Sequence, residues 1–412
     1  MRLAPTPDEQ LFARTARELL AARCTPADVR AGFSRDRWRA LAEVGATGLL
    51  VPEEYGGLGL GSGPGADDYG PDSYGSGGHG SGGRGSGSYG PGGRGSGRQH
   101  LGGQHLDEPP LGAQALVALT EEAGRACLPE PLLEAAVAAE LLGGLPEGAD
   151  LLRGLAEGAV TVAVSLPARV PAPGPVPASA SVRTSASVSV SEPAGQPVVA
   201  HAAHADHVLV VTEDGELREA GAGPRTPVAG VDPNRGLARV AEGGGRVLAR
   251  EWGEAAGMAA RIGAIGAAAD LVGAAAAMLE RTVDYAKGRV QFGSPIGERQ
   301  AVKHRLADVL LAVEFARPVV ARAAYAYDHG LPSAARDAAM AKVFANEAAG
   351  KAARGCLQVH GAIGYTDEYD LSLWLRRVWA LSAAWGDSTR HRAAVAADLF
   401  APGGPSPSSP PR

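Results

Sequence analysis

The sequence predicts an α+β fold with an N-terminal helical domain, a small middle β-domain and a C-terminal four-helix bundle. Three observations predict it: helical periodicity toward both ends of the chain, short alternating strands between them, and glycines concentrated in one insert. We place the domains at residues 1–157, 158–250 and 251–400, followed by a disordered tail at 401–412.

The N-terminal region begins with helix signals. From Thr6, the segment TPDEQLFARTARELLAARC has an N-cap residue, a proline, acids in the first turn and apolar residues at helical spacing. The segment 36–61 then predicts a helix, a glycine stop and a Gly-rich turn. Helical periodicity returns at 113–142.

The insert at about 61–111 contains many of the 58 glycines and almost no aliphatic residues. Such a composition cannot offset the entropy of ordering the chain, so we expect a disordered, flexible linker. Its GGRGSG and Tyr-Gly steps resemble Arg-Gly segments that contact RNA. Interspersed acids weaken that alternative, an RNA-contacting protein.

The middle region predicts strands. VTVAV at 160–164 and HVLVVTEDGELREA at 207–220 alternate in polarity, and the second contains a hairpin turn. The segment 167–196, rich in Pro, Ala and Ser, is expected to be a loose excursion from a small β-domain.

From Glu254 onward the chain predicts long helices. Apolar or small residues follow spacings of four and three through the first helix, at Met258, Ile262, Ile265, Ala269, Val272, Ala276, Leu279, Val283 and Ala286. This pattern predicts one continuous packing stripe. Two further helices, at 300–328 and 333–361, complete the pattern of an up-and-down bundle.

Composition excludes several classes of protein. The net charge of -6 gives no reason to expect a nucleic-acid binder. The three cysteines lack metal-ligand spacing, so we expect reduced thiols and no metal site. Residues 1–10 lack a signal-peptide pattern and no run of 18 apolar residues occurs. We expect a cytoplasmic protein outside the membrane.

Two motifs in the bundle carry a family resemblance. RVQFGSPIGERQAVKHRLADV at 289–309 resembles the Arg-X-Gln-Phe-Gly-X-Pro-Ile loop and following helix of the acyl-CoA dehydrogenase family. LQVHGAIGYTDEYDLSLWLRR at 357–377 resembles that family's Gln-Val-His-Gly-Gly-X-Gly-X-Thr signature. With VPEEYGGLGLG at 51–61 and CLPEPLLEAAVAAELL at 127–142, the resemblance spans most of the chain.

The resemblance implies an FAD site shared between two subunits, and therefore an oligomer. The residues it implies for cofactor binding are Arg289, Phe292, Gln300, Gln358, His360, Gly361 and Gly364. A guanidinium such as that of Arg289 can contact pyrophosphate through two hydrogen bonds. As alternatives, Arg289 could pair with Asp284 or Asp308, and His360 could be a core histidine.

The implied reaction is α,β-desaturation of an acyl-CoA thioester, with electrons passed to an electron-transfer flavoprotein. A carboxylate in a dry site must remove the α-proton. At the family's usual base position this chain has Trp385, followed by Gly386, and at the position used by a minority it has Gly263. Asp387 is the nearest acid, although it could instead cap the last helix.

A second departure lies in the β-domain, where we find neither the family's Thr-Gly-X-Lys segment nor its aromatic-Ile-Thr strand. Both losses fit heteromeric dehydrogenases, in which unlike chains share sites. We therefore expect an FAD-dependent acyl-CoA dehydrogenase subunit, acting as a homo-oligomer or with a second chain of the same family. The alternative is a catalytically inactive structural or acyl-CoA-binding subunit.

Overall fold

The computed structural model describes residues 7–60, 112–167, 196–221, 223–241 and 244–400. The predicted insert at 61–111, the tail at 401–412 and nearly all of the Pro/Ala/Ser segment lie outside these residues. Within them the structure is an α+β fold, as the sequence predicts: helices, then a small sheet region, then a helical bundle.

The first part of the chain is helical. Its helices are α1 (Pro7–Arg23), α2 (Pro26–Ala31), α3 (Arg35–Glu43), α4 (Gly112–Ala126), α5 (Leu132–Leu142) and α6 (Ala149–Ala156). The periodic stretch at 113–142 is two helices because Cys127 adopts a left-handed φ of 54° and Pro131 precedes α5.

The middle region forms two small sheets. Its strands are β1 (Val162–Ser165), β2 (Val198–Val199), β3 (His207–Val211), β4 (Leu217–Glu219), β5 (Thr226–Pro227), β6 (Ala238–Arg239) and β7 (Arg246–Ala249). One sheet has the order β1-β3-β4-β7 and the other β2-β6-β5. Antiparallel pairing of β3 with β4 confirms the predicted hairpin at 207–220.

The C-terminal part is the predicted bundle. Its elements are α7 (Gly253–Gly288), the short strands β8 (Val290–Gln291) and β9 (Ser294–Pro295), α8 (Gln300–Asp328), α9 (Ala334–His360), α10 (Leu371–Ala383) and α11 (Ser388–Leu399). The predicted bounds of the second and third bundle helices agree with α8 and α9 to within one residue.

The first bundle helix, α7, is buried on nearly all sides rather than along one stripe. It packs against α4, α5, α8, α9 and α10, and residues between the predicted stripe positions, such as Ala268 and Ala275, are also fully buried. By length and hydropathy α7 is the one helix in the described ranges that could cross a membrane, but 94% of its most apolar window is buried in the protein. It is therefore a core helix of this fold.

Glycines allow α7 and α4 to approach closely. A methyl group on Gly273 would lie 1.9 Å from the carbonyl oxygen of Glu121, and one on Gly124 would lie 2.0 Å from that of Asp270. The two helices therefore pack backbone to backbone. This contact holds Asp270 against the N-terminal helices.

Candidate functional site

The first motif forms a hairpin whose tip is exposed. β8 pairs with β9 through the two-residue turn Phe292–Gly293, and both turn residues have positive φ, 55° and 83°. Two left-handed residues in succession are typical of type I′ turns, which suit two-residue hairpins. The Phe292 side chain is 92% exposed, with the Arg299 guanidinium 5.0 Å from its ring centroid. The hairpin thus presents an aromatic ring away from the core of this chain.

Arg289 lies at the base of this hairpin, immediately after α7. Its backbone N–H donates to the Tyr285 carbonyl at 2.8 Å, and its carbonyl accepts from Ile296 N–H at 2.8 Å. Its side chain is exposed and has no ion pair within the described ranges, because Asp284 instead contacts Lys287 at 3.5 Å. The guanidinium charge remains available to a ligand.

The second motif contacts the last turn of α7, just before the first motif, through an aromatic pair. His360, the last residue of α9, is buried and stacks on Tyr285 of α7, with ring centroids 4.2 Å apart. Its Nδ1 lies 2.9 Å from the Cys356 carbonyl oxygen, and burial lowers the pKa of the ring, so the neutral form donates from Nδ1. His360 therefore supports the turn from inside, as a core histidine does.

Three other predicted cofactor residues lie on the outside of these motifs. Gln358 and Gly361 are exposed, and Gly361 has a φ of 69° with no atom within 4 Å of where a Cβ would be. Gln300 begins α8, and its amide nitrogen lies 3.0 Å from Nε2 of His304. Gly364 is buried, and a methyl there would lie 2.8 Å from Leu357. The Tyr285–His360 stack joins the last turn of α7, which leads into the first motif, to the second motif.

The two family base positions face each other. A Cβ on Gly263 would lie 2.2 Å from Cε3 of the Trp385 indole, and Trp385 is only 4% exposed. The ring therefore occupies the space into which a side chain at position 263 would extend. No carboxylate can occupy that space while the indole remains there. Sequence spacing predicts a base position at each of these residues but does not predict their contact.

Buried polar side chains hold the turn that carries Trp385. Nζ of Lys342, fully buried on α9, donates to the carbonyl oxygens of Leu381 at 3.0 Å and Gly386 at 3.1 Å. His391 Nε2 lies 2.8 Å from the Trp385 carbonyl oxygen. Burial lowers the pKa of Lys342 to about 7, and burial together with nearby Lys342 lowers the pKa of His391 to about 4.

This anchoring escaped prediction from sequence. The available signal is the lone lysine in AAMAKVFA at 338–345, a segment of otherwise small and apolar residues that precedes Asn346. Asn346 accepts from Lys342 Nζ at 2.9 Å and donates to the Ser382 carbonyl oxygen at 3.2 Å. The side chain conformation of Trp385 therefore depends on a turn held by three polar groups.

Asp387 is the N-cap of α11. Its carboxylate accepts a hydrogen bond from the backbone N–H of Arg390 at 2.9 Å, and Asp387 is exposed. A base for α-proton removal needs a dry environment that raises its basicity. An exposed carboxylate already accepting from a helix N-terminus lacks that environment.

A cluster of buried charges joins the middle region to the bundle. It surrounds a cavity of about 30 Å³, whose polar lining includes Thr120, Glu134, His201, Arg235, Asp270 and Arg377. Arg377 Nε donates to Asp232 at 2.7 Å, and its Nη1 lies 3.7 Å from Asp270. Asp270 Oδ1 and Arg377 Nη2 are buried without hydrogen-bond partners within the described ranges. The cavity is large enough for about two water molecules.

The buried carboxylates in this cluster outnumber the guanidiniums. Glu134, Asp232 and Asp270 supply three carboxylates against the two guanidiniums of Arg235 and Arg377. Burial raises the pKa of Glu134, and it raises that of Asp270 to about 6. The cavity is too small and too charged to hold an acyl chain.

The chain matches two protein-family models. Residues 254–400 match "Acyl-CoA dehydrogenase, C-terminal domain", and residues 6–63 match "Acyl-CoA dehydrogenase, N-terminal domain". Among curated proteins, the "Acyl-CoA dehydrogenase IpdE2" of Mycobacterium tuberculosis is 31% identical over 91% of this chain and 92% of its own length. The protein of the same name from Mycolicibacterium smegmatis is 29% identical over 95% and 99%.

Solved structures show the same fold. The ChsE4-ChsE5 complex from Mycobacterium tuberculosis contains a chain with a TM-score of 0.72 at 20% identity, covering 98% of this chain and 100% of that one. Butyryl-CoA dehydrogenase from Megasphaera elsdenii has a TM-score of 0.67 at 19% identity, covering 97% and 100%.

Proposed function

Because this chain belongs to the acyl-CoA dehydrogenase family, we propose that it is one subunit of a heteromeric, FAD-dependent acyl-CoA dehydrogenase. In this proposal the chain supplies part of the flavin site, and a second chain of the same family supplies the catalytic glutamate. The enzyme desaturates an acyl-CoA thioester and passes electrons to an electron-transfer flavoprotein in the cytoplasm. We also propose that the N-terminal helical domain, the β-domain and the bundle meet at 157/158 and 250/251.

The observation that carries the proposal is the contact between Trp385 and Gly263. These two positions are where the family places its base, and here an indole ring fills the space that they share. Asp387, two residues further on, is exposed and caps α11. None of the three can remove a proton from an α-carbon in a dry site, so the base must come from elsewhere.

The residues around the exposed hairpin fit the nucleotide end of FAD. Arg289 is exposed and has no ion pair in the described ranges, Phe292 is 92% exposed, and no atom lies within 4 Å of where a Cβ on Gly361 would be. Phosphate charge and a flat ring system are what such groups bind. The chemistry that bound FAD supplies in this family is acceptance of the hydride from the acyl β-carbon. Arg289 and Phe292 would hold the cofactor, and the Tyr285–His360 stack would keep their turn in place.

Exposed apolar residues support an oligomer. On α8, Leu311 and Phe315 are 53% and 67% exposed and lie one turn apart, and Leu310 beside them is 47% exposed. Phe292, 92% exposed, adds an aromatic ring on the hairpin before the same helix. Large apolar side chains exposed on one helix are typical of a protein–protein interface. A chain with this fold occurs in the ChsE4-ChsE5 complex, which favours an unlike partner.

A second candidate function is an inactive structural or acyl-CoA-binding subunit. The same Trp385–Gly263 contact favours it, since a chain without a base need not keep a flavin. The two candidates differ in cofactor content. Co-expression with a neighbouring dehydrogenase gene, followed by flavin counting per chain, separates them. If this chain supplies part of the flavin site, the complex should retain FAD that the partner purified alone loses. If this chain is an inactive subunit, the partner purified alone should retain as much FAD as the complex.

The Arg289→Ala variant tests the flavin contact within that complex. Loss of one charge-assisted, bidentate phosphate contact should weaken FAD binding by about 2–3 kcal/mol, which is enough for FAD to be lost during purification. Lys287→Ala is the matched control, because Lys287 is also exposed and near the end of α7 but pairs with Asp284. Equal flavin content in Arg289→Ala and Lys287→Ala would contradict the contact.

A further inference from the structure

One buried turn of the middle region carries charged side chains against the bundle. Asp232 precedes the turn and Arg235 ends it, and each is only 3% exposed. Oδ1 of Asp232 accepts from the backbone N–H of Asn234 at 3.1 Å, which orients the carboxylate. Its Oδ2 accepts from Nε of Arg377, on α10, at 2.7 Å. This buried ion pair is a direct polar link between the middle region and the bundle.

Asp270 of α7 lies beside the same guanidinium. Its Oδ2 is 3.7 Å from Nη1 of Arg377, too far for a hydrogen bond. Its Oδ1 and Nη2 of Arg377 are buried without a hydrogen-bond partner among the residues that the structure describes. Both residues line the cavity of about 30 Å³, which has room for water next to these two groups. Asp270 is therefore a buried carboxyl group next to an ion pair to which it is not hydrogen-bonded.

Charges of both signs face Asp270 from the neighbouring elements. Arg377 and Arg235 attract its ionised form, whereas Asp232 and Glu134, the latter on α5, repel it. Burial disfavours the ionised form more than the two guanidiniums favour it, and it raises the pKa of Asp270 to about 6. The proton of Asp270 thus dissociates close to neutral pH.

The remaining polar groups near the cavity are neutral, paired or next to Arg235. Burial lowers the pKa of His201, so its ring is neutral at pH 7. Glu130 pairs with an arginine of α3 at 2.7 Å, and Thr120 of α4 is uncharged. Lys342 of α9 interacts electrostatically with Arg235, and none of the described lining residues belongs to α8.

We propose that Asp270 is a pH-sensitive element of the contact between the middle region and the bundle, and that its ionisation loosens this contact. While Asp270 is protonated, Asp232 is the one charged carboxylate next to Arg377 in the described cluster. After Asp270 loses its proton, carboxylates from two parts of the fold share one guanidinium, and Asp270 also repels Glu134. Separation of the middle region from the bundle returns Asp270 to water, which favours its ionised form.

The sign of the pH dependence follows from the raised pKa of Asp270. The stability that its protonated form contributes is fully present below the ordinary value of 3.8 and is lost as the pH rises through about 6. Opening of the middle region should therefore become more favourable by at most about 10-fold between pH 5 and 7, and change little above pH 7. Neither the proposed reaction nor a partner chain enters this expectation.

Hydrogen exchange of the full chain, followed by mass spectrometry and corrected for the intrinsic pH dependence of amide exchange, tests the inference. Protection of peptides from 223–241, which contain the buried turn, should fall by up to about 10-fold between pH 5 and 7. Asp270→Asn has no proton to lose, so its protection should not fall. Asp284→Asn is the matched control, since Asp284 is on the same helix but 78% exposed, and it should show the wild-type fall. Peptides from α9 should show no such fall.

Four results would overturn the inference. The first is wild-type protection that stays constant between pH 5 and 7, which decides the question even if Asp270→Asn fails to fold. The second is a fall of the same size in Asp270→Asn. The third is a fall that Glu134→Gln removes and Asp270→Asn does not, because the proton would then belong to Glu134. The fourth is an equal fall in the peptides from α9, which would show unfolding of the whole chain rather than opening of the middle region.

Discussion

Replacing Gly263 by alanine should destabilise the protein, although glycine-to-alanine changes within helices usually stabilise. The usual gain is about 0.5–1 kcal/mol, because glycine loses more backbone entropy on folding. At position 263 the added methyl would lie 2.2, 2.5 and 2.7 Å from three atoms of the buried Trp385 ring. Overpacking of this kind costs about 1–3 kcal/mol. The net change should therefore be a loss of up to about 2 kcal/mol in the free energy of unfolding.

Gly350→Ala is the matched control. Gly350 is also in the interior of a long helix, α9, but a methyl there would meet only the end of the flexible Arg354 side chain, at 3.3 Å. This variant should be more stable than the wild type by about 0.5–1 kcal/mol. Urea unfolding followed by far-UV circular dichroism measures both variants without depending on tryptophan fluorescence.

A double-mutant cycle isolates the contact itself. Trp385→Gly should cost about 3–5 kcal/mol from lost burial, partly offset because glycine tolerates the φ of 56° at this position. In that background Gly263→Ala should become stabilising, giving a coupling energy of about 1–3 kcal/mol. Stabilisation by Gly263→Ala in the wild-type background, equal to that of Gly350→Ala, would refute the packing of Trp385 against α7.

Three further outcomes are expected. Burial lowers the pKa of Lys342 to about 7, so above that pH the unfolded chain binds more protons than the folded chain. In urea unfolding, the stability of the wild type relative to Lys342→Met should therefore rise between pH 7 and 9, by at most about 1.4 kcal/mol per pH unit. A stability difference that does not change with pH would contradict this. Asp387→Ala should lower the free energy of unfolding by about 1 kcal/mol, and Asp387→Asn should change it by almost nothing, since Asn is as good an N-cap. Equal losses for the two variants in thermal or urea unfolding would exclude the capping role. Phe315→Glu should leave the circular dichroism spectrum unchanged and shift the protein to a smaller species in size-exclusion chromatography with light scattering. An unchanged assembly would show that α8 does not form the interface.

The fold was predictable because its elements are long and periodic. The bounds of α8 and α9 follow from apolar spacing, and the β3–β4 hairpin follows from alternation around a turn. Burial of α7 on nearly all sides was not predictable, since it depends on how many neighbours surround the helix. The break between α4 and α5 was missed because Cys127 adopts a left-handed conformation that is rare for this residue type.

The site was only partly predictable. The two motifs predict Arg289 and Gln358 as cofactor residues, and spacing predicts Trp385 and Gly263 as the base positions, because these signals are local in sequence; the roles stay predictions. The contact between Trp385 and Gly263 joins distant segments, so only tertiary packing shows that the ring fills the space. The buried charge cluster around Asp270 likewise combines three regions of the chain, none of which is unusual by itself.

Turnover of the co-purified complex tests most directly the central claim that this chain supplies no catalytic base. The isolated chain should not desaturate any acyl-CoA, and the complex should. In the complex, Glu→Gln at the partner's catalytic glutamate should reduce kcat by several orders of magnitude, while Asp387→Asn in this chain should change it by less than about 2-fold. Turnover by the isolated chain that survives Asp387→Asn would contradict the account, because the base would then lie elsewhere in this chain.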